Sequence, residues 1–271
     1  MERRSLLKAG LYGPAAFLSS NMLWALPEES NPDWCGWGPL QKSNQFDMRL
    51  PAGFSARVVG RSDKAPIKGR DFEWHRAPDG GACFPADDGG WIYVSNSEID
   101  RGRGGASALR FSPSGDLVDA YPILQGSSRN CAGGATPWNT WLSCEEPDRK
   151  PRRGVVWECD PYGREAAVAR PALGLFRHEA VAVDTREGIL YLTEDMADGC
   201  LYRFIPDGRD ASGRYNLTNG QLQVACWTSD GRDQLTWENI PDPAAANSPT
   251  RGQVKAAAHF SGGEGIAWHD G

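Results

Sequence analysis

The stretch HEAVAVDTREGILYLTEDMADGCLYRFIPDG (residues 178–208) decides the fold. Two short segments, HEAVAVD and ILYLTED, flank the polar turn TREG. Val181, Val183, Leu190 and Leu192 alternate with other residues, which is the pattern of strands with one packed face. CLYRF follows as a third strand, and QLQVACW (221–227) follows as a fourth. We therefore predict a four-stranded antiparallel unit in this region.

Two markers of this unit recur at a nearly fixed spacing. Glu98, Glu146 and Glu194 each end a strand-like segment, and successive acids are 48 residues apart. A second marker is the glycine of the turns FSPSG, DPYG and IPDG, at positions 115, 163 and 208. A period in this range is typical of repeat architectures with one four-stranded sheet per repeat. The predicted fold class is all-β, a β-propeller of four-stranded blades.

The chain divides into three predicted segments. Residues 1–25 have the twin-arginine pair Arg3-Arg4 followed by a short apolar run, which predicts an export signal. Residues 26–52 are predicted to form an irregular lead-in, and residues 53–271 the propeller, with a first strand at 53–60. The final GGEGIAWHDG resembles the opening half of a repeat, so we expect either a fragment or a last blade completed by the N-terminal segment. Residues 209–220 and 229–258 are predicted surface loops.

Composition narrows the partners and the compartment. The formal net charge of −6 argues against nucleic acid as the main partner and leaves room for bound cations. Gly13, Pro14 and Asn21 interrupt the N-terminal apolar run, so stable membrane insertion is not expected. We expect a periplasmic or secreted protein. Its seven cysteines are an odd number, and their spacing predicts no disulfide.

The repeat predicts where chemistry collects. In a hairpin, the first residue of one strand and the last residue of the next lie at the same end, within roughly 5 Å when directly opposite. The predicted cluster contains Glu98, Cys131, Glu145 or Glu146, Glu179, Glu194 or Asp195, and Glu264, with His178 beside it and Cys83 opening the first hairpin. Carboxylates alone suit calcium or magnesium, and a thiolate among them suits iron or zinc. The alternative is that each acid is a solvated strand end or an ion-pair partner.

The segment RNCAGGATPWNTWLSCEE (129–146) resembles the signature of the PhoX-type alkaline phosphatases. Further matches are VSNSE (94–98), FRHEAVAVD (176–184), YLTED (191–195), LYRF (201–204) and GGEG (262–265). The resemblance implies a six-bladed propeller with an iron and calcium centre. The metal ligands that it implies are Asn96, Glu98, Cys131, Glu146, Glu179 and Glu264.

Two positions depart from the pattern of that family. Ser97 stands where the family has histidine, and Gly262 stands where it has an arginine suited to clamp phosphate. Arg129 and Arg177 flank the implied ligands and are our candidates to replace that arginine in catalysis.

Three functions fit these features. The leading one is a secreted, metal-dependent hydrolase of phosphate monoesters, with a small-molecule substrate. The second is a non-catalytic, calcium-stabilised propeller that binds a ligand or partner, because a fold does not fix a function. The third is a calcium-dependent lactonase or sugar-ester hydrolase.

Overall fold

The computed structural model describes residues 37–148, 150–228 and 231–269, with the side chains of 231–233 left aside. The predicted export signal at 1–25 lies outside these residues. The described residues fall into two compact units, which divide between Val58 and Val59. The described part of the first unit is irregular, with one bridge between Leu40 and Pro51. Within the described residues, no helix has the length and apolar character needed to cross a bilayer.

The second unit is built of antiparallel strands, so the predicted all-β class is confirmed. The strands are β1 (Pro78–Pro85), β2 (Trp91–Ser97), β3 (Gly104–Phe111), β4 (Leu117–Ser127), β5 (Asn130–Ala135), β6 (Trp141–Glu145), β7 (Val156–Cys159), β8 (Val168–Ala169), β9 (His178–Val183), β10 (Leu190–Glu194), β11 (Gly199–Pro206), β12 (Gly220–Thr228), β13 (Gly231–Asn239) and β14 (His259–Phe260). In the part of the chain that the structure describes, short 3-10 helices cover Pro171–Leu173 and Thr250–Gly252.

Three sheets follow one another along the chain. The first has the order β1-β2-β3-β4, the second β5-β6-β7-β8, and the third β13-β12-β11-β10-β9, with β14 paired to β11. Each of the first two sheets is a meander in which every strand pairs with the next. The four strands predicted from residue 178 onward correspond to β9, β10, β11 and β12.

Two predicted local structures do not form. Residues 53–60 contain no strand, because Gly53 has a φ of +86° and Phe54 donates its N–H to Pro51 in a turn. In the region 229–258, predicted to be loop, residues 231–239 form β13 instead. The outer edge of β12 supplies backbone hydrogen bonds there, and the Trp237 ring lies 4.6 Å from the Arg203 guanidinium.

The end of the described chain does not open a further hairpin. After β14 pairs with Gly199 and Cys200, residues 261–269 contain no strand. This segment instead lies along the third sheet, where Gly262 donates to the Met196 carbonyl at 2.9 Å and Gly263 donates to the Glu194 carbonyl at 3.2 Å. The expected opening half of a repeat is therefore absent from residues 261–269.

The core lies between successive sheets. One cluster joins Phe84, Ile92 and Val94 of the first sheet to Trp141 and Cys159 of the second. A larger cluster joins the second sheet to the third. It includes Leu142, Val156, Val181, Leu190, Leu192, Tyr202, Phe204 and Val224. These apolar layers hold the three sheets face to face.

Glycines allow the first strands of the three sheets to approach one another closely. A Cβ on Gly80 would lie 2.7 Å from the Ala132 Cα, and a Cβ on Gly134 would lie 1.9 Å from the Val181 carbonyl oxygen. Side chains at these two positions would push β1, β5 and β9 apart. The glycines thus bring the ends of these strands together.

We predict that Gly134→Ala destabilises the protein by about 2 kcal/mol or more, because the new methyl group overlaps the backbone of β9. Denaturant unfolding of the full chain measures the change. Gly252→Ala is the matched control, since a Cβ at that position meets no atom within 4 Å. Equal stability of the two variants would contradict the close approach of β5 and β9.

Candidate metal centre

A bulge at the start of each sheet directs one side chain toward the same place. In the second sheet, Asn130 pairs with Glu145 and Gly133 pairs with Ser143, so Cys131 and Ala132 together oppose one residue. In the third sheet, Glu179 and Ala180 form the equivalent bulge between His178 and Val181. Bulges of this kind re-aim side chains beside functional sites. Here they bring the Cys131 Sγ within 3.4 Å of the Glu179 Oε1.

The first sheet has the same bulge, and it presents Asp79. Pro78 pairs with Ser97 and Gly81 pairs with Ser95, so Asp79 and Gly80 oppose one residue. The Asp79 charge acts on both Cys131 and Glu179. Asp79 is not among the residues predicted from the sequence, which placed Cys83 at the opening of this hairpin. Cys83 lies further along β1 and is exposed. The 48-residue spacing before Cys131 leads to Cys83, and only the bulge in β1 shows that Asp79 takes the equivalent place.

Asn96 fixes the bulge that contains Cys131. Its side-chain Nδ2 donates to the Cys131 carbonyl at 3.0 Å and to the Ala132 carbonyl at 2.8 Å. Its Oδ1 accepts from Trp141 Nε1 at 2.9 Å and from Ser143 Oγ at 2.8 Å. The carbonyls only accept and the indole only donates, so the orientation of the amide is set by its partners. All four of these hydrogen bonds are made within the protein, so Asn96 positions the bulge, and metal binding by Asn96 stays a prediction.

Cys131, Glu146 and Glu179 form a cluster with metal-binding geometry. Their ligand atoms all lie within 4.8 Å of one another. Glu146 follows the last residue of β6, and its backbone N–H donates to the Arg129 carbonyl at 2.9 Å. Two of the three residues, Glu146 and Glu179, are buried. We call this set the triad.

The three ionisable groups of the triad are difficult to ionise at the same time, because they are close together and shielded from water. Burial raises the pKa of Glu146 to about 8, a shift to which a hydrogen bond with Asp195 adds and which the charge of Arg177 opposes. Burial likewise raises the pKa of Glu179 to about 7, although its hydrogen bond with Cys131 acts in the other direction. Burial and the two carboxylates raise the pKa of the Cys131 thiol far above its ordinary value. A cation among these groups would reverse these effects by favouring the charged forms.

Two arginines flank Glu146. Arg177 pairs with the Glu146 Oε1 at 2.8 Å and with Asp195 at 3.2 Å. Arg129 pairs with Glu98 and lies 3.9 Å from the Glu146 Oε2. The exposed carboxylate of Asp148, which the sequence analysis did not single out, contacts Arg129 at 3.3 Å and Arg177 at 3.2 Å. The Asp148 carboxylate thus contacts two guanidinium groups at once. Two guanidinium groups placed this way also suit a tetrahedral anion.

Glu98 and Glu264 are outside the triad. Glu98 forms an ion pair with Arg129. Glu264 is exposed, and its backbone carbonyl accepts a hydrogen bond from the Thr193 hydroxyl at 2.7 Å. Metal binding by either residue stays a prediction.

The remaining candidates face the interior. Glu145 accepts hydrogen bonds from Ser127, Ser128, Val155 and Trp157, so of the two adjacent acids it is Glu146 that joins the triad. His178 is buried with its Nε2 2.9 Å from the Gly174 carbonyl, and burial lowers its pKa to about 4. A neutral, enclosed imidazole of this kind is a packing group beside the triad.

Glu194 belongs to a separate buried network. Its carboxylate pairs with Arg251 at 3.0 Å and accepts hydrogen bonds from the Tyr202 hydroxyl and the Cys200 amide. Burial raises its pKa, and Tyr202 and Arg251 oppose the rise. Of the three evenly spaced acids, Glu194 therefore anchors the 250–251 segment rather than the triad.

The family model for alkaline phosphatase PhoX matches residues 87–267, about two thirds of the sequence. The chain belongs to the PhoX family. The resemblance of the segment at 129–146 is thereby confirmed. Comparison with curated proteins returned no match.

A solved PhoX structure shares the fold. It is Pseudomonas fluorescens PhoX in complex with vanadate, a transition state analogue, and it matches with 18% sequence identity and a TM-score of 0.53. The match covers 70% of this chain and 56% of that chain. The present chain thus spans little more than half the length of that PhoX protein. The triad lies within the residues that the PhoX family model matches.

We predict that Asn96→Asp destabilises this PhoX family member by about 2 kcal/mol or more. The substitution replaces the Nδ2 nitrogen, which carries both N–H donors, with one carboxylate oxygen, and this leaves the carbonyls of Cys131 and Ala132 without that partner. Asn139→Asp, in the exposed turn between β5 and β6, makes the same chemical change and should have little effect. Thermal unfolding of the two variants is the measurement, and equal melting temperatures would refute the positioning role.

We predict that Arg251→Gln costs about 3 kcal/mol at pH 8, because it leaves a fully buried carboxylate without its cation. Since the folded-state pKa of Glu194 is raised, its ionisation destabilises the fold as the pH climbs above 4.5. Losing Arg251 raises that pKa further, so the deficit relative to wild type should shrink from pH 8 to pH 5.

Chemical unfolding at several pH values measures this deficit. Arg76→Gln is the control, because it breaks an exposed ion pair with Asp63 and should change the free energy of unfolding little. A deficit that is independent of pH, or no larger than that of the control, would exclude Glu194 as the cause.

Proposed function

We propose that this PhoX family member is an exported, metal-dependent hydrolase of phosphate monoesters. Its three sheets would be blades of a propeller of the six-bladed type, and the pair Arg3-Arg4 would direct export by the twin-arginine route. The triad of Cys131, Glu146 and Glu179 is the observation that carries the proposal. Family membership supports phosphatase chemistry in general.

The donor set fits iron with calcium beside it. One sulfur and two carboxylates within 4.8 Å suit a transition metal, because calcium and magnesium take oxygen ligands. Asp79 and Asp195 act electrostatically on the same groups and would supply oxygen ligands for calcium. Cys131, Glu146 and Glu179 would hold the iron. When bound, these cations would neutralise charge that develops on the phosphoryl group.

The protein's own residues would bind and orient the phosphoryl group. Arg129 and Arg177 present two guanidinium groups that already share the Asp148 carboxylate. A phosphoryl dianion would take the place of that carboxylate, since Asp148 is half exposed and can move into solvent. Arg177 also has a buried Nε–H that lacks a hydrogen-bond partner among the described residues. In these roles the two arginines would replace the clamp that Gly262 cannot provide.

A second candidate is a calcium-stabilised propeller that binds a ligand without turnover. Gly262 favours it, because this residue has a φ of +67° and an arginine there would be strained. The paired state of Arg129 and Arg177 favours it too, because both must release Asp148 before they can bind substrate.

We predict that the protein binds iron and hydrolyses phosphate monoesters, and that Cys131→Ser removes most of both properties. The substitution takes away the sulfur ligand and leaves the side chain nearly the same size. Elemental analysis and turnover of p-nitrophenyl phosphate are the measurements. Activity should fall about 100-fold, a loss typical of disturbed metal sites.

Cys83→Ser is the matched control, because Cys83 is exposed and lies outside the triad. If the iron-loaded protein hydrolyses no phosphate ester, the phosphatase proposal is wrong. The second candidate, a propeller that binds a ligand without turnover, would then be favoured. Turnover of lactones without turnover of phosphate esters would instead indicate a lactonase. Calcium without iron would remove the assigned role of the Cys131 thiol.

A further inference from the structure

A cavity of about 630 Å³ is lined by several basic side chains. Lys150, Arg152 and Arg153 form one side of it, and Arg251 contributes from the opposite segment. Leu175 and Phe176 supply apolar surface. The other lining residues are Pro151, Ala245, Asn247, Ser248, Pro249 and Thr250. We call this cavity the basic pocket.

The charges of the basic pocket are not balanced within it. Its described lining contains no Asp or Glu. Arg152 Nε donates to the Asp148 backbone carbonyl at 3.0 Å, and Arg153 donates to the Ala246 carbonyl at 2.7 Å. Among the described residues, none of the cations at 150, 152 and 153 forms an ion pair with a carboxylate. Arg251 differs, because Glu194 and Asp198 neutralise it.

Three cations around one cavity repel one another, and a bound anion would relieve that repulsion. The geometry suits a compact anion such as a phosphate or carboxylate, which several guanidinium and ammonium donors can contact at once.

The basic pocket adjoins the metal centre. Asp148 connects the two, because its backbone carbonyl holds Arg152 and its carboxylate contacts both Arg129 and Arg177. A second connection is the chain itself, where Phe176 lines the pocket and the next residue, Arg177, pairs with Glu146. An anion in the basic pocket and a phosphoryl group held by Arg129 and Arg177 would therefore both lie beside Asp148.

We propose that the basic pocket binds a second anionic group of the substrate. The substrate class is then a phosphate ester whose leaving group carries another phosphate or a carboxylate. This inference rests on the proposed phosphatase function, and it adds a specificity that neither the triad nor the two flanking arginines supply.

The test compares two substrates that differ by one phosphate, glucose 1,6-bisphosphate and glucose 6-phosphate. In the wild-type protein, kcat/KM should be about tenfold or more higher for the bisphosphate, as expected for an added charge-assisted contact. In the double variant Lys150→Gln with Arg153→Gln, the ratio of the two kcat/KM values should fall close to one. Arg152 is left intact because it holds the Asp148 carbonyl.

The double variant Arg61→Gln with Lys68→Gln is the control. It removes the same charge from exposed positions that do not line the pocket, so the wild-type ratio should persist. Equal kcat/KM for the two substrates in the wild type would overturn the proposal. So would a preference that survives in the pocket variant.

A separate measurement distinguishes failure of the pocket from failure of the phosphatase function. If the protein turns over neither ester, calorimetric titration with glucose 1,6-bisphosphate tests the pocket alone. The wild type should then bind about tenfold more tightly than the pocket variant. Equal affinities would reject the basic pocket as an anion site.

Discussion

The close backbone approach of β1, β5 and β9 is the constraint on which the candidate site depends. Gly80 and Gly134 permit it, because a side chain at either position would collide with the neighbouring strand. Once the strands lie this close, a bulge at the start of each sheet delivers Asp79, Cys131 and Glu179 to one place. The packing of the sheets thus determines the composition of the site, because the apolar layers between the sheets fix which polar side chains lie close together.

That shared volume raises an electrostatic problem. Glu146 and Glu179 are buried near each other and near a thiol, and the raised pKa values of these groups reflect the cost of ionising them together. Arg177 offsets part of this cost from the side of Glu146. Bound cations would offset the rest and would fit the mixed sulfur and oxygen donor set. The proposed metal centre and the arginines around it therefore have the same effect, which is to balance the negative charge of the buried carboxylates and the thiolate.

Some features followed from the sequence because their signals are local. Alternation of apolar residues predicted β9 to β12, and the spacing of Glu98, Glu146 and Glu194 predicted a repeat with acids at the ends of hairpins. The motif at 129–146 indicated the family. Local signals failed where partners decided the outcome. Residues 53–60 have an apolar pattern but no strand, and the polar segment 231–239 became a strand because β12 had a free edge.

By itself, the sequence determined the all-β class and the PhoX family, and it named Cys131, Glu179 and the adjacent acids Glu145 and Glu146 as candidates for one site. The tertiary structure alone decided the direction in which each side chain points. Glu146 rather than Glu145 joins the triad, and Asp79 rather than Cys83 opens the first hairpin. The side-chain amide of Asn96 donates to the backbone of the Cys131 bulge. The reason is that neighbouring residues in a strand point to opposite faces, so a one-residue bulge changes which of them faces the site. Those bulges arise from hydrogen bonds between strands, which the order of residues along one strand does not record.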